Sequence, residues 1–419
     1  METDDKISKE DNKKYDVISI GNALMDILVK INEDKFLTLK IEKGSMNFVS
    51  PESVKLVEDV LLGHEMTLEP GGASANTLSC LALLGSKVVF CGTVGKDNHG
   101  AIYEKKLMET GVSTSISKKE GSTGKAYTFI TPDSQRTFMV SLGIASKIGK
   151  EDILEENIKQ SKILYLTVYE LLDPELRKTC LNAISIAKSS GTKIALDLAA
   201  PNVVKDNLTM LKEIVDEHVD ILLANEGEAS AFTGKSPEDS ADEIAKLVET
   251  AVVKLGKGGS IIIHQGEITK TESFTANAVD TTGAGDMYAA GILYGIANNI
   301  PMKKASLLGS FLGAKVVEKI GARLSKDEIK SVSEIFEMID AKLGIKKQDK
   351  SDKKGKKEVP EMKIVSLGDK KFHVSSQKDP EKYYLVDLNT NWCDCPSFYY
   401  NKQECKHIKA VREYNAGKF

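Results

Sequence analysis

Short apolar runs alternate with helical patterns along residues 15–342, and this alternation limits the possible folds more than any other feature. Runs of four or five mostly apolar residues are typical of strands that are covered on both faces of a sheet. They lie at 17–20, 88–91, 163–166, 194–198, 221–224 and 260–264. Because parallel strands need crossover connections, the pattern predicts an α/β fold with a doubly wound, mostly parallel sheet. With 419 residues, 41% of them hydrophobic, the chain can also form a small second domain.

The segment 280–286 reads DTTGAGD, and an apolar helical pattern follows it. Gly283, Ala284 and Gly285 therefore stand at a helix start, where unpaired backbone N–H groups and the helix dipole attract anions. Small residues let a phosphoryl group approach that backbone. Asp286 follows in the first turn, where a carboxylate can accept a proton from an attacking hydroxyl. Taken alone, the segment is explained equally well as an ordinary helix start with an Asp that complements the dipole.

A second glycine motif, PGGASAN at 70–76, also opens an apolar helical pattern, which ends at Gly85. Paired glycines such as Gly72 and its neighbour let a substrate approach the backbone. Asn76 offers a donor and an acceptor, which suits a vicinal diol. Two glycine-rich helix starts in one α/β chain favour phosphoryl transfer to a hydroxyl over the ordinary explanation.

Together, the two motifs resemble the GGxxxN and DTxGAGD signatures of the ribokinase/PfkB-type kinases. Other segments are similar to that family in the same order: DVISIGNALMD at 16–26, GTVGKDNHG at 92–100, NEGE at 225–228 and LGKGG at 255–259. The resemblance covers about residues 15–325. The adenosine-kinase-like branch is the most similar, through GNALMDILVKINEDKFLTLKIEKGSMNFVS, TPDSQRTFMVSLGIA and IALDLAAPNVV.

The resemblance implies a ribokinase-like fold and an ATP-dependent kinase that acts on a primary hydroxyl. Asp286 would be the general base, and the backbone of Gly283, Ala284 and Gly285 would form an anion hole. Asp26 and Asn76 would hold ribose hydroxyls, with Gly72 giving backbone access and Asn22 assisting. Asp26 is also explained as the end of a strand.

The remaining site residues are also expectations from the family pattern. Asn225 and Glu228 would organise Mg²⁺ through water, with a helix cap as the alternative explanation of their spacing. Gly256 and Gly258 would lie in the nucleotide-side loop. Arg136 would be a lid arginine that pairs with phosphate, or an exposed turn arginine. Asp280 and Gly321 resemble positions that line a monovalent-cation site, which implies K⁺.

The segment Lys125–Ser141 departs from the apolar-run pattern. Partly alternating residues flank the sequence TPDS at 131–134, which predicts a hairpin. The family resemblance implies that this hairpin and residues 36–49 form a small β-lid, which would exclude water from the reacting phosphoryl group.

The C-terminal segment has metal-ligand spacing. Cys393, Cys395, Cys405 and His407 form a C-x-C-x9-C-x-H pattern, and three thiolates with one imidazole suit tetrahedral Zn²⁺. Free cysteines or a redox pair are the alternative, but four such residues in a segment too small for its own core favour zinc. The pattern resembles the SWIM zinc finger, which implies a small ββα domain that binds DNA or protein. All four positions would be filled by the protein, so the zinc would be structural.

Charge divides the chain unevenly. Residues 346–419 hold 17 Lys+Arg and 11 Asp+Glu, a net charge of +6, whereas the whole chain carries −4, which leaves −10 for residues 1–345. The lysine-rich run 346–357 lacks apolar periodicity and predicts a flexible linker, as a solvated spacer or a nucleic-acid contact. The predicted organisation is a disordered tail at 1–14, a kinase domain at 15–342, a linker at 343–361 and a zinc finger at 362–419.

The sequence shows no run close to the roughly 20 apolar residues that cross a bilayer, and its charged start lacks a signal-peptide core. We therefore expect a cytoplasmic protein without a membrane partner, in which Cys80, Cys91 and Cys180 are buried and inert. The main function class is a nucleoside kinase, with adenosine first, or a sugar kinase of the ribose or fructose type. The alternative class is a ligand-sensing, nucleic-acid-binding regulator without turnover. The sequence does not predict the oligomeric state.

Overall fold

The structure is a computed structural model, and it describes residues 13–43, 46–132, 136–329, 331–345, 362–375, 382–395 and 405–415. The chain divides into two compact units, 1–344 and 345–419. Most of the predicted linker and most of the predicted N-terminal tail lie outside the described residues, so these domain boundaries stay predictions.

Eighteen strands occur in the described residues. They are β1 (Tyr15–Ile20), β2 (Leu24–Lys30), β3 (Met46–Phe48), β4 (Met66–Gly71), β5 (Val88–Gly95), β6 (Ser113–Lys119), β7 (Gly124–Ile130), β8 (Arg136–Ser141), β9 (Ser161–Thr167), β10 (Lys193–Asp197), β11 (Ile221–Asn225), β12 (Thr250–Lys254), β13 (Ser260–His264), β14 (Glu267–Thr271), β15 (Ile364–Gly368), β16 (Lys371–Ser375), β17 (Tyr383–Asp387) and β18 (Trp392–Cys393).

Fourteen α-helices occur in the same residues. They are α1 (Glu33–Leu37), α2 (Pro51–Val60), α3 (Ala73–Leu83), α4 (Asn98–Glu109), α5 (Glu155–Lys159), α6 (Pro174–Ser189), α7 (Pro201–Asp206), α8 (Leu208–His218), α9 (Glu226–Thr233), α10 (Pro237–Ile244), α11 (Ala284–Ala297), α12 (Met302–Val316), α13 (Val332–Lys342) and α14 (Lys406–Asn415).

The larger unit is built on a nine-stranded sheet in the order β14-β13-β12-β11-β10-β9-β1-β5-β6. The strands from β12 to β6 in this order are parallel, and β13 is antiparallel to both of its neighbours. Alternate residues of one strand enter two different cores: Val17 joins one hydrophobic cluster and Ile18 the other. Both faces of the sheet are therefore covered, which confirms the predicted doubly wound architecture.

A second sheet in the larger unit has five strands in the order β3-β8-β7-β2-β4. The predicted hairpin at 125–141 is present, with Lys125 opposite Ser141 across β7 and β8. Of the predicted partner segment 36–49, only β3 pairs in the sheet. The larger contribution comes from β2 and β4, which the sequence analysis did not assign to it. The chain thus passes from the main sheet to the lid sheet within residues 21–23.

The smaller unit is a four-stranded antiparallel sheet, β15-β16-β17-β18, with helix α14 packed against it. The predicted strands and helix of the ββα domain are present, and β15 and β18 are additions. Its buried cluster contains Phe372, Val374, Val386, Ile408 and Val411 together with three cysteines. A core of this size is small for an independently folding domain.

Candidate active site and zinc centre

Helix α11 begins where the DTTGAGD motif predicts it. Gly283 is its N-cap, in the left-handed conformation with φ +79°. A Cβ at Gly283 would lie 2.4 Å from the carbonyl oxygen of Ala322, so the fold itself requires glycine here. The N–H of Ala284 makes a long hydrogen bond of 3.3 Å to the carbonyl of Thr281. The predicted anion hole therefore lies at a helix start that a neighbouring chain segment also holds in place.

Asp286 projects from the first turn of α11 and meets the helix that the other glycine motif opens. The side-chain amide of Asn76 on α3 donates to Asp286 Oδ2 at 2.9 Å, and Thr77 Oγ1 donates to the Asp286 carbonyl at 3.3 Å. Asp286 keeps some solvent accessibility, but protein surrounds it closely. This burial raises the pKa of Asp286 to about 6, against the opposing effect of the Asn76 hydrogen bond. A carboxylate with this pKa can act as a base near neutral pH.

Arg323 completes this cluster, and the sequence analysis did not predict it. Its Nε donates to Asn76 Oδ1 at 2.8 Å, so the hydrogen bonds run from Arg323 through Asn76 to Asp286. Arg323 follows helix α12 in an irregular segment with no local pattern. Only the fold brings it to the site.

Lys254 and Asp197 form a buried ion pair beside the same helix start. The Lys254 ammonium lies 3.0 Å from Asp197 Oδ2, and only 12% and 6% of the two side chains are exposed. A Cβ at Gly285 would lie 3.5 Å from Lys254 Nζ, which places this cation at the N-terminus of α11. Burial alone would lower the pKa of Lys254, but Asp197 and Glu228 outweigh it and raise that pKa. Both residues end buried strands, and a charged residue in that position of the sequence predicts a partner of opposite charge.

Asn225 and Glu228 form the helix cap that their spacing allowed. Asn225 Oδ1 accepts from the Glu228 N–H at 2.9 Å, and Glu228 Oε2 accepts from the Asn225 N–H at 2.7 Å. Glu228 is buried, and this burial raises the pKa of its carboxyl. The cap holds the carboxylate close enough to Lys254 and Asp286 for their charges to affect it, so a metal role remains compatible with the cap.

Asp26 lies on strand β2 of the lid sheet rather than at the end of the first strand. The alternative explanation, that Asp26 simply ends a strand, is therefore wrong, because β2 continues from Asp26 to Lys30. The Asp26 carboxyl lies against the α-carbon of Gly71, where an added Cβ would come within 2.0 Å of Oδ1. Burial raises the pKa of Asp26 to about 7, and Arg323 opposes this rise.

Gly72 and Asn22 lie together at the start of α3. Gly72 has φ +92°, and a Cβ there would lie 2.4 Å from the Asn22 carbonyl oxygen, so chain geometry demands this glycine. Asn22 donates from its backbone N–H and its Nδ2 to Glu170 Oε1, at 3.2 and 3.1 Å. Glu170 also accepts from Thr167, which fixes the carboxylate that orients Asn22.

The other predicted positions lie in loops, except Arg136. Gly256–Gly258 forms an exposed 3₁₀ turn, separated from Lys254 by one residue. Asp280 is buried, and its carboxylate accepts from Thr282 and, at 2.8 Å, from the Gly321 N–H. Arg136 begins β8, but its side chain lies outside the described part of the structure. Most of the predicted site residues therefore lie near the starts of helices α3 and α11. Their roles stay predictions.

The four predicted zinc ligands converge in the smaller unit. The Sγ atoms of Cys393, Cys395 and Cys405 and a ring nitrogen of His407 all lie within 4.8 Å of one another, and all four residues are buried. Cys393 Sγ lies 3.9 Å from His407 Nδ1, which fits ligands that share one tetrahedral ion. The Tyr384 ring, with its centroid 4.8 Å away, orients the imidazole. The donor set fits Zn²⁺.

A glycine-containing helix start with a carboxyl group of raised pKa in its first turn, on a doubly wound sheet with a β-lid, is typical of small-molecule phosphotransferases. Residues 44–329 match the pfkB family carbohydrate kinase, and residues 377–413 match the SWIM zinc finger. The chain belongs to the pfkB family of carbohydrate kinases and carries a SWIM zinc finger.

Its relatives differ in the acceptor named for them. A 5-dehydro-2-deoxygluconokinase of Listeria monocytogenes is 26% identical over 343 residues, which cover 78% of this chain and 98% of the relative. The corresponding protein of Geobacillus kaustophilus is 31% identical, over 64% of this chain and 84% of its own. The solved adenosine kinase of Sinorhizobium meliloti has a TM-score of 0.70 at 28% identity, over 78% of this chain and 99% of its own.

None of the helices in the described part of the chain combines the length and apolar character needed to span a bilayer. Cys80, Cys91 and Cys180 are buried, free thiols, as predicted.

Proposed function

We propose that residues 15–342 form an ATP-dependent kinase that phosphorylates a primary hydroxyl of a nucleoside, with adenosine as the first candidate. The observation that carries the proposal is Asp286, which Asn76 holds at a helix start beside the Lys254 cation. The solved adenosine kinase at 28% identity supports a nucleoside acceptor.

In the proposed reaction, Asp286 takes the proton of the acceptor hydroxyl while its oxygen bonds to the γ-phosphorus of ATP. The bond from that phosphorus to the β-phosphate oxygen breaks, ADP leaves, and Asp286 retains the proton. The start of α11 and Lys254 stabilise the negative charge on the transferring group. Mg²⁺, organised through water by Asn225 and Glu228, would neutralise phosphate charge when bound.

The test is ADP release from ATP and Mg²⁺ with a panel of nucleosides and sugars, with Asp286→Asn as the matched control. Turnover with adenosine that the variant loses would support the proposal. A preference for a sugar would keep the mechanism and change the acceptor. Silence across the panel would favour a ligand-sensing regulator without turnover.

A sugar kinase is the second candidate. It is favoured by the relatives at 26–31% identity, which are named for a sugar-acid substrate, and by Asp26 and Asn76, side chains that suit hydroxyl groups. The same substrate panel distinguishes the two candidates, because it includes ribose, fructose and 5-dehydro-2-deoxygluconate beside the nucleosides.

For the smaller unit, we propose a structural zinc that supports a binding module for DNA or protein. The net charge of +6 over residues 346–419 favours an acidic partner. Fluorescence anisotropy of a labelled DNA duplex with the full chain tests this, and Cys405→Ser is the control. Equal binding by both proteins would exclude the finger as the DNA contact.

A further inference from the structure

The segment that carries Arg323 is fixed against the phosphate-binding loop at two points. The Gly321 N–H donates to Asp280 Oδ2 at 2.8 Å, and the Ala322 backbone packs on Gly283 so closely that no side chain fits between them. Asp280 and Gly283 belong to the DTTGAGD loop itself. Arg323 is therefore held in place relative to Asp286 by contacts on the preceding two residues.

The contacts of Arg323 fix the orientation of Asn76. A guanidinium only donates, so Asn76 must turn its carbonyl oxygen toward Arg323 Nε and its NH₂ toward Asp286. With the amide reversed, an NH₂ would face the guanidinium and a carbonyl would face a carboxylate. Arg323 thus holds the donor that positions Asp286.

The two terminal nitrogens of Arg323, Nη1 and Nη2, are buried and have no hydrogen-bond partner among the described residues. Burial lowers the pKa of Arg323, even though Tyr103, Asp26, Glu69 and Asp286 act against this effect. Buried donors without acceptors destabilise a folded protein, because they lose their hydrogen bonds to water and gain none in return. Such groups are rare in folded proteins, so an arginine in this state beside a catalytic cluster points to a ligand that supplies the acceptors.

The charges around Arg323 indicate the class of that ligand. The carboxyl groups of Asp26, Glu69 and Asp286 all lie close enough to affect its titration. An acceptor with its own carboxylate would add a fourth acid to this pocket. A hydroxyl, in contrast, accepts from Arg323 with its oxygen and donates its hydrogen to a carboxylate. Asp26 is suited to be that acceptor, because no described residue donates a hydrogen bond to its side chain.

We propose that Arg323 is a specificity-determining residue: its terminal nitrogens bind hydroxyl oxygens on the acceptor's sugar ring, while its Nε positions Asp286 through Asn76. This inference rests on the proposed kinase activity, and it adds the residue that recognises the hydroxyl groups of the sugar. It predicts discrimination against deoxy sugars, because a missing hydroxyl leaves the buried guanidinium unpaired.

The test compares kcat/KM for adenosine, 2′-deoxyadenosine and 3′-deoxyadenosine. The full-length protein should prefer adenosine by at least ~10²-fold over the analogue that lacks the bound hydroxyl. Arg323→Met should reduce this preference to below ~5-fold, since it removes the contact that only adenosine makes. Lys319→Met, which removes a half-buried cation four positions earlier that pairs with Glu328, should leave the preference unchanged.

An equal loss of kcat/KM for all three nucleosides in Arg323→Met would overturn the proposal and show a purely structural role. A loss confined to 5-dehydro-2-deoxygluconate would also overturn it, in favour of a carboxylate ligand. If Arg323→Met does not fold, Arg323→Lys tests the same point, because it keeps the charge and loses the planar fork. An unchanged preference in Arg323→Lys would then contradict the proposal.

Failure of the nucleoside proposal would be visible separately. If the unaltered protein turns over a sugar and not adenosine, the comparison is made with that sugar and its deoxy derivative. The nucleoside assignment then fails, and the role of Arg323 is still decided by whether the preference for the hydroxyl disappears in the variant.

Discussion

Two of the buried polar clusters in the described residues, the one around Asp286 and the one formed by the four predicted zinc ligands, are assembled in opposite ways. In the kinase unit, Arg323 and Asn76 are 247 positions apart in sequence, and Asn76 and Asp286 are 210 apart. In the smaller unit, Cys393 and His407 are only 14 positions apart. The first cluster is supported by the hydrophobic cores on both faces of the large sheet. The second has only a small core, and its four side chains would be joined by the zinc ion. The first should therefore keep its geometry without a ligand, and the second should depend on its metal.

The composition of the two cores explains the difference. The kinase unit buries two extensive hydrophobic clusters, one on each face of its sheet. In the smaller unit, three of the eight residues in the buried cluster are Cys393, Cys395 and Cys405. Without metal, these thiols contribute little to holding the chain together, so zinc binding and folding of this unit should be one process.

The largest expected effect is that of Asp286→Asn on turnover. The amide keeps the size of the side chain but cannot accept the proton, so kcat should fall by at least ~10²-fold while acceptor binding changes little. Steady-state kinetics and calorimetric titration of the acceptor measure the two quantities. Retained turnover would exclude Asp286 as the base.

The second largest expected effect is that of pH on kcat/KM. Asp286 must be ionised to act as a base, and its pKa is raised to about 6, so kcat/KM should fall about tenfold per pH unit below that value. Between pH 7 and 8 the rate should be nearly constant. Unfolding must be excluded by circular dichroism at each pH. A flat profile down to pH 5 would contradict the assignment.

Cys405→Ser should destabilise the smaller unit and leave the kinase unit folded. The variant should lose zinc and the unfolding transition of the smaller unit, while the main transition and kcat change little. Zinc content by mass spectrometry and calorimetric scans provide the measurements, with Cys180→Ser, a buried cysteine of the kinase unit, as the control that keeps its zinc. Loss of the main transition would show that the finger supports the kinase core.

Asp26→Asn should have a smaller effect, on stability. The pKa of Asp26 is raised to about 7 by burial, so the ionised carboxyl destabilises the folded protein increasingly as the pH rises from about 4 to 7. The variant should therefore melt a few degrees higher at pH 8 and about equally at pH 4. Melting curves at the two pH values test this. A gain in stability that is the same at both would mean that charge is not the cause.

Much of this organisation follows from local patterns. The strands at 88–91 and 221–224, the helix after Asp286 and the zinc ligands each have a short signal of period or spacing, and each is present in the structure. Such features can be predicted from a short stretch of sequence, because the residues that form them lie only a few positions apart.

Other features depend on distant parts of the chain. No period or spacing in the sequence around residue 323 predicts Arg323 as a site residue, since its partner Asn76 lies on α3 and its neighbour Gly321 is bound to the loop before α11. The assignment of β2 to the lid sheet likewise depends on pairing with β4 and β7, and an apolar strand looks the same in either sheet. The ion pair of Lys254 and Asp197 could be predicted from the sequence, because a charged residue at the end of a buried strand needs a partner of opposite charge.

The position of Asp26 has a consequence for the order of events in turnover. Asp26 lies on a strand of the lid sheet, whereas Asn76 and Asp286 lie on helices of the core. In the proposed kinase reaction, an acceptor bound by both groups would join the lid sheet to the core, so binding of the sugar and closure over it would be a single step. ATP bound alone, or with water in place of the acceptor, would not form this link. We therefore expect little hydrolysis of ATP in the absence of the acceptor.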